Sequence, residues 1–345
     1  MPDYSHKGSV CLMPRLEGLG GPVSFQTRLA EGLKSRGVAV TYDPHDPNCR
    51  AILLMGGTRH VMDLWRARQR GVRIVQRLAQ VYWIHRRKPS GVGHFLRAER
   101  NNLLLAFIRR SLAHRVVYQS QFARQFWQRM YGLTPRMERI IYNSVDLQAF
   151  QPHGDETPPL DHIRLLVVEG RLGEANEPYL ENSVRFGEAL ARKMDQPLEL
   201  MVVGEAPLDL QERWKRKTNL WITWRGVVQR EEVPAIDRSA HLLFSAELNA
   251  GCPNSVIEAL ACGLPVVGFA TGALPEILQG DSGCMTDYGA DHWKLENPDV
   301  ESLADAASRI LADSPRFREG ARKRAEQAFD LQDMLDAYLE VLLGD

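Results

Sequence analysis

Twelve short apolar segments divide the chain into two runs of six, with helical stretches between most of them. In the first run Ser9–Pro14, Val38–Asp43, Ala51–Met55, Val72–Leu78, Arg115–Ser120 and Glu138–Asn143 read as strands. They are short and mostly β-branched, as strands buried on both faces should be. Ser24–Arg36, His60–Arg70, Glu99–Ala113 and Gln121–Tyr131 read as the helices between them. Strand and helix alternating at this length build right-handed βαβ units on a parallel sheet. The Pro-rich, acidic stretch Gln151–Pro159 interrupts the pattern, which then restarts. Ile163–Glu169, Leu198–Val203, Leu220–Trp224, His241–Phe244, Pro265–Phe269 and Cys284–Thr286 are the second set of strands. Tyr179–Lys193, Glu231–Arg238, Asn254–Cys262 and Val300–Leu311 are its helices.

The expected architecture is therefore α/β: two doubly wound parallel-sheet domains, with a cleft between their strand C-terminal ends. A length of 345 residues agrees with two domains. The expected bounds are 1–155 for the first, 156–328 for the second, and 329–345 for a terminal helix packing back on the first. Arg316–Leu343 reads as one helical tail, with apolar Phe317, Ala321, Ala325, Phe329, Met334, Leu335, Tyr338 and Leu342.

The formal net charge of zero hides a split. Residues 1–160 hold 24 basic and 11 acidic side chains, a net of +13, and the remainder carries −13. The first half thus attracts anions, unless the two halves neutralise each other across an interface. With 44% hydrophobic and 25% charged residues, the chain is neither disordered, collagen-like nor a coiled coil. Its five scattered cysteines form no C-x-x-C pair, which points away from disulfides and zinc. No secretory leader is legible in MPDYSHKGSV, and the longest apolar run, Leu103–Ile108, is far too short to span a bilayer. The expected location is the cytoplasm, including a peripheral place at the inner membrane face.

Two segments carry chemistry. Gly18-Leu19-Gly20-Gly21-Pro22-Val23 follows the first strand and opens the first helix. Glycines let a ligand approach the backbone, and a helix start offers N–H groups and a positive dipole end. The loop is neither a G-x-x-x-x-G-K-[ST] loop nor an intact G-x-G-x-x-G fingerprint. The second segment runs Ala250-Gly-Cys-Pro-Asn-Ser-Val-Ile-Glu258-Ala-Leu-Ala-Cys-Gly-Leu-Pro-Val-Val267. Asn254, Ser255 and Val256 open a helix whose donors suit a diphosphate, and Glu258 lies one turn on, where a carboxylate can accept from two ribose hydroxyls. Thr271-Gly272-Ala273-Leu274-Pro275-Glu276 makes another loop-to-helix start.

At these residues the chain resembles the GT-B fold glycosyltransferases, in particular the large retaining group that includes sucrose and glycogen synthases. The resemblance is carried by GLGGPVSFQTRLAEGLKSRG, ERIIYNSVDLQAF, EGRL at 169–172, WRGVVQREEVPAIDRSAHLLFSA and, most specifically, PNSVIEALACGLPVVGFATGALPE. It implies a sugar transferase using a nucleotide-diphosphate sugar as co-substrate, with no resident cofactor and no metal. Glu258 would hold the ribose, Asn254, Ser255 and Val256 the diphosphate with Gly20 and Gly21, and Gly226-Val227 the base. Arg171 would neutralise the leaving diphosphate. Retaining members need no nucleophile, so placed cations and N–H donors supply most of the catalysis.

The chain departs from that pattern twice. Eight residues before Glu258, where the family has a sugar-contacting glutamate, stands Ala250; Glu247 and Asn249 are the nearby substitutes. Five residues after Arg171, where a lysine is common, stands Asn176. The family's first-domain histidine has its counterpart in His85, with Arg77 nearer the strand end. Arg77, Tyr82, Arg86, Arg87 and Lys88 are the acceptor candidates, for an anionic or lipid-linked acceptor; no nucleic-acid partner is expected. The helix around Leu103–Ile108, bracketed by Arg97, Arg100, Arg109 and Arg110, suits either an anionic membrane surface or burial on most sides. Six successive apolar residues favour burial. The alternatives to an enzyme of this kind are a catalytically silent nucleotide-sugar-binding protein and, more weakly, a nucleotide-sugar epimerase.

Overall fold

The computed structural model describes residues 8–18, 20–87, 91–173 and 176–344. It contains two parallel six-stranded sheets, each the centre of its own compact unit. In the first unit β1 (Ser9–Met13), β2 (Ala39–Thr41), β3 (Cys49–Met55), β4 (Arg73–Leu78), β5 (Arg115–Tyr118) and β6 (Met137–Ile140) take the order β2-β1-β3-β4-β5-β6. Four helices join them: α1 (Gly21–Ser35), α2 (Val61–Gln69), α3 (Val92–Phe107) and α4 (Gln121–Tyr131). The central strands are buried on both faces, one under α1 and the other under α2 and the end of α3. That double burial is why they read as continuous apolar runs.

The second unit repeats the plan. Its strands are β7 (Ile163–Arg171), β8 (Leu198–Glu205), β9 (Trp221–Gly226), β10 (Leu242–Ser245), β11 (Val266–Phe269) and β12 (Gly283–Thr286), in the order β12-β11-β10-β7-β8-β9. Its helices are α5 (Glu177–Met194), α6 (Leu208–Lys217), α7 (Val233–Arg238), α8 (Asn254–Ala261), α9 (Leu274–Ile277), α10 (Val300–Ala312) and α11 (Ser314–Ala328). In this sheet the strand order reverses between β7 and β10, and in the first sheet between β1 and β3. Ligands of doubly wound sheets bind at that switch, outside the strand carboxyl ends.

Three expectations change. The first unit ends at Asn143, and not near residue 155, because the following segment is tied to the second unit. The Arg322 guanidinium donates to the carbonyls of Leu147 and Phe150, and Arg238 donates to Gln151 and to the Glu156 carboxylate. The terminal helix is also two helices. At Phe329–Asp330 the helix breaks and Asp330 bridges Val145, whose N–H donates to the Phe329 carbonyl at 2.9 Å. Only α12 (Leu331–Leu343) belongs to the first unit. It buries Leu335 against Gly32 of α1, sets Tyr338 edge-on to Phe25, and receives Arg36 on Asp336. Gly32 makes room there, since a Cβ on it would run into the Leu335 side chain and make it shift.

The third correction concerns α3. The Leu103–Ile108 run is not buried on most sides: Ile108 is enclosed, Leu104 and Leu105 are half-buried, and Leu103 and Phe107 face solvent. Six consecutive residues wrap more than a full helical turn, and α3 rests on the sheet by one side alone.

Candidate active site

In the first unit the β1–α1 loop is fastened by one buried side chain. Gln26 of α1 donates to the Pro14 carbonyl and accepts from the Leu16 N–H, both at 2.8 Å. Gly18 (φ 94°) and Gly20 (φ 115°) adopt left-handed backbone, and a Cβ on either would meet nothing within 4 Å. Gly20 caps α1, which places the positive end of the helix dipole at this loop. Leu19 lies outside the described residues.

The acceptor candidates divide. Arg77 is buried at the end of β4, its guanidinium 3.6 Å from the Phe25 ring centre and donating to Asn143 Oδ1 at 2.6 Å. His85 is buried as well. Its Nε2 meets Glu99 Oε1 at 2.8 Å, its ring stacks on Tyr82, and its Nδ1 has no hydrogen-bond partner among the described residues. Arg86 binds the same Glu99 through both oxygens, at 2.5 and 2.8 Å. Arg86 first and His85 second hold the Glu99 carboxyl below its usual range. Arg86 is thus committed to an ion pair, while Arg87 is exposed; Lys88 lies outside the described residues. Tyr82 rims a shallow groove beside α3 with His94, Arg97 and Asn101, and partial burial raises its phenol.

In the second unit the residues gather at the switch between β7 and β10. Arg171 ends β7, more than half exposed, its Nε 3.8 Å from Glu205 Oε2 at the end of the neighbouring β8. Asn176 donates to the Arg171 carbonyl at 3.0 Å, so the residue in the lysine's place braces the loop. Sequence reading passed over Glu169, half-buried two residues before Arg171. Burial and the charge of Glu247 push its carboxyl well above the usual range. No short motif links two carboxyls so far apart in the chain; only the adjacency of β7 and β10 does.

After β10 the loop through Ala250 is clamped from one side. Gly272 (φ 61°) lies so close that a Cβ on it would come within 2.6 Å of the Ala250 backbone, and the Ala273 N–H donates to the Ala250 carbonyl at 2.9 Å. Ala250 is buried and brings no charge. Asn249, left-handed at φ 58°, is fully buried, and neither polar atom of its side-chain amide has a partner among the described residues. Beyond the loop, α8 begins with Asn254 and Ser255 half-buried and no side-chain cap. The Val256 side chain is in the core, which leaves only its amide to serve a ligand. Glu258 is half-buried one turn in. Beneath it Asp237 of α7, also missed from sequence, is buried beside Cys262; burial first, then the Glu258 charge, raises its carboxyl well above the usual range. Gly226 (φ 67°) and the exposed Val227 lie at the end of β9, with open space beside the glycine. Among the described residues no three His, Cys, Asp or Glu side chains converge as metal ligands.

Residues 164–313, most of the second unit, match the family described as Glycosyl transferases group 1. Among curated proteins the chain is 30% identical over 236 residues to a GDP-mannose-dependent alpha-(1-6)-phosphatidylinositol dimannoside mannosyltransferase of Mycobacterium tuberculosis, covering 66% of this chain and 57% of the relative. It is 33% identical over 212 residues to an MMP alpha-(1->4)-mannosyltransferase of Mycolicibacterium hassiacum, covering 59% of this chain and 47% of that protein. The chain thus matches about half the length of these relatives. Among solved structures it superposes on a sucrose-phosphate synthase of Thermosynechococcus elongatus with a TM-score of 0.73 at 18% identity, over 97% of this chain and 98% of that one. Anabaena HepE, solved in complex with UDP-glucose, superposes with a TM-score of 0.69 at 15% identity, over 97% and 99% of the two chains.

Proposed function

We propose, for a chain that has the GT-B fold and whose residues 164–313 belong to the glycosyl transferases group 1, that it moves a sugar from a nucleotide-diphosphate sugar to an anionic or lipid-linked acceptor, with retention and without metal. One observation carries the reading. Arg171 after β7 and the loop into α8 after β10 lie on adjacent strands at the point where the strand order reverses. A cation and an uncapped helix start at a switch point suit a diphosphate.

In this reading Glu258 accepts from the ribose hydroxyls, and the first-turn amides of Asn254, Ser255 and Val256 bind the diphosphate. Arg171 stabilises the charge that grows on it as the glycosidic bond breaks. Gly226 and Val227 flank the base. Glu247 and the enclosed Asn249 are the sugar contacts where Ala250 has no carboxylate. The diphosphate takes the acceptor proton on the face it leaves, so no protein nucleophile is needed. The net +13 of residues 1–160 and the phosphatidylinositol dimannoside for which the M. tuberculosis relative is named support an anionic or lipid-linked acceptor. All five cysteines are free, which suits a cytoplasmic protein.

A thermal-shift screen over UDP-, GDP-, ADP- and TDP-sugars tests the donor, since a ligand at about 100 times its Kd adds about 2.7 kcal/mol of stability. The anomeric configuration of the product tests retention, and an unchanged rate in EDTA tests metal independence. A second reading, a silent nucleotide-sugar binder, is favoured by Ala250 and Asn176. A donor that stabilises the protein but is never hydrolysed or transferred would establish that reading in place of the enzyme.

A further inference from the structure

Among the described residues, the outer face of α3 is left exposed. Val92, Leu96, Leu103 and Phe107 are 77, 62, 59 and 49% exposed. Their spacing of four, seven and four residues sets them on one stripe of the helix. Exposed Arg100 lies on the same stripe, and exposed Arg97 and Arg110 flank it. The inner stripe is fully used: Asn102 donates to the Tyr82 carbonyl at 2.9 Å, and Leu105 lies against Gly57. Glu99 is the only acid between Val92 and Leu112, and it is turned to His85 and Arg86.

We propose that α3 is a docking surface for an anionic bilayer, with Leu96, Leu103 and Phe107 entering the headgroup–acyl boundary and Arg97, Arg100 and Arg110 meeting lipid phosphates. Sign and geometry select this occupant. An apolar stripe flanked by cations, with no exposed acid, complements a surface that is apolar below and negative above. A second copy would not suit it, because a two-fold contact through this face sets arginines against arginines. Among the described residues no helix is long and apolar enough to cross a membrane, so attachment through α3 is peripheral. The inference does not rest on the transfer reading, since vesicle binding requires no donor.

The test is co-sedimentation of the whole chain with phosphatidylcholine vesicles prepared with and without phosphatidylglycerol. The wild type should bind only the phosphatidylglycerol vesicles, and less so as the Debye length falls from about 10 Å at about 0.1 M salt to about 3 Å at about 1 M. Each arginine near an anionic surface is worth about five-fold in partitioning, so R97Q/R100Q/R110Q should lower it on the order of 100-fold. L96Q/L103Q/F107Q should also release the protein, while thermal melting stays unchanged because these side chains are already exposed. Wild-type indifference to phosphatidylglycerol would overturn the proposal, and so would wild-type binding by both variants. Wild-type dimers dissolved by L96Q/L103Q/F107Q, with no vesicle binding, would make the face a protein interface and refute the bilayer.

Discussion

Glu205 Oε2 lies 3.8 Å from Arg171 Nε, at the ends of two adjacent strands, with both side chains more than half exposed. A pair so long and so open adds little to stability, ~0–1 kcal/mol. Arg171 is therefore held in place but easily won by a stronger anion. Arg171→Ala should leave the melting temperature unchanged and lower turnover on the order of 100-fold or more, with a much smaller loss of donor affinity, because the diphosphate gains charge in the transition state. Rates at saturating donor, set beside a direct donor titration, check this split. Equal losses in both would mean that Arg171 only binds.

Glu258 and Asp237 should separate cleanly. Glu258→Ala should weaken nucleotide binding by about 1.5–3 kcal/mol for each charged hydrogen bond lost, with the fold intact. Asp237 sits below it with a folded pKa raised above the ordinary 3.8, so the folded state keeps a proton that the unfolded state gives up. Its stabilising contribution is complete below pH 3.8 and declines as pH rises through the folded value. Asp237→Asn cannot ionise, so it should remove that decline and raise the melting temperature at neutral pH by several degrees, at about 2–4 °C per kcal/mol. Melting curves across pH 3–8 are the measurement; a variant that melts lower than the wild type at pH 7 contradicts the assignment.

Strands were the most legible part of the sequence, because burial on both faces leaves runs such as Ala51–Met55 with no other reading. Helix α6 was not legible: only Leu210 and Trp214 of LDLQERWKRK turn inward, too few to mark a period among the charges. The face of α3 was misread because six apolar residues in succession carry no period either. Residues inside one motif, from Asn254 to Glu258, could be placed from order alone. Glu169, Glu99 and Asp237 could not, since each acquires its partner only when distant segments are brought together by the sheet and its helices.

The basic triplet at 86–88 should not act as a unit. Arg86 is bound by Glu99, whose folded pKa is depressed, so this bond stabilises the first unit above about pH 4.5 and is lost as the pH falls through the folded value. Arg86→Gln should therefore lower the melting temperature at pH 7 and narrow its gap to the wild type in acid. Arg87→Gln should instead raise the acceptor KM and leave melting alone, since Arg87 is exposed. Melting curves at pH 7 and pH 4 beside acceptor kinetics distinguish the two. An acceptor KM that follows Arg86 and ignores Arg87 would reverse the roles.

Two glycines at the second unit's strand ends provide a controlled pair. Gly226 and Gly272 have nearly the same backbone, φ 67° and φ 61°, so alanine at either costs the left-handed penalty of about 1–2 kcal/mol. They differ in what surrounds them. Beside Gly226 a Cβ meets nothing within 4 Å, whereas beside Gly272 it comes to 2.6 Å from the Ala250 nitrogen and oxygen. Gly272→Ala must therefore push the Ala250 loop away or break the Ala273 to Ala250 hydrogen bond, at a further ~1–3 kcal/mol. That loop carries Glu247 and Asn249 and leads into α8, so its shift should also weaken donor binding. Gly226→Ala should melt a few degrees below the wild type, and Gly272→Ala several degrees lower still, with donor affinity at least ten-fold down. Thermal melting with and without a stabilising nucleotide sugar measures both effects in one experiment. If the two alanine variants melt and bind alike, Gly272 does not hold the Ala250 loop and the clamp has no part in shaping the donor site.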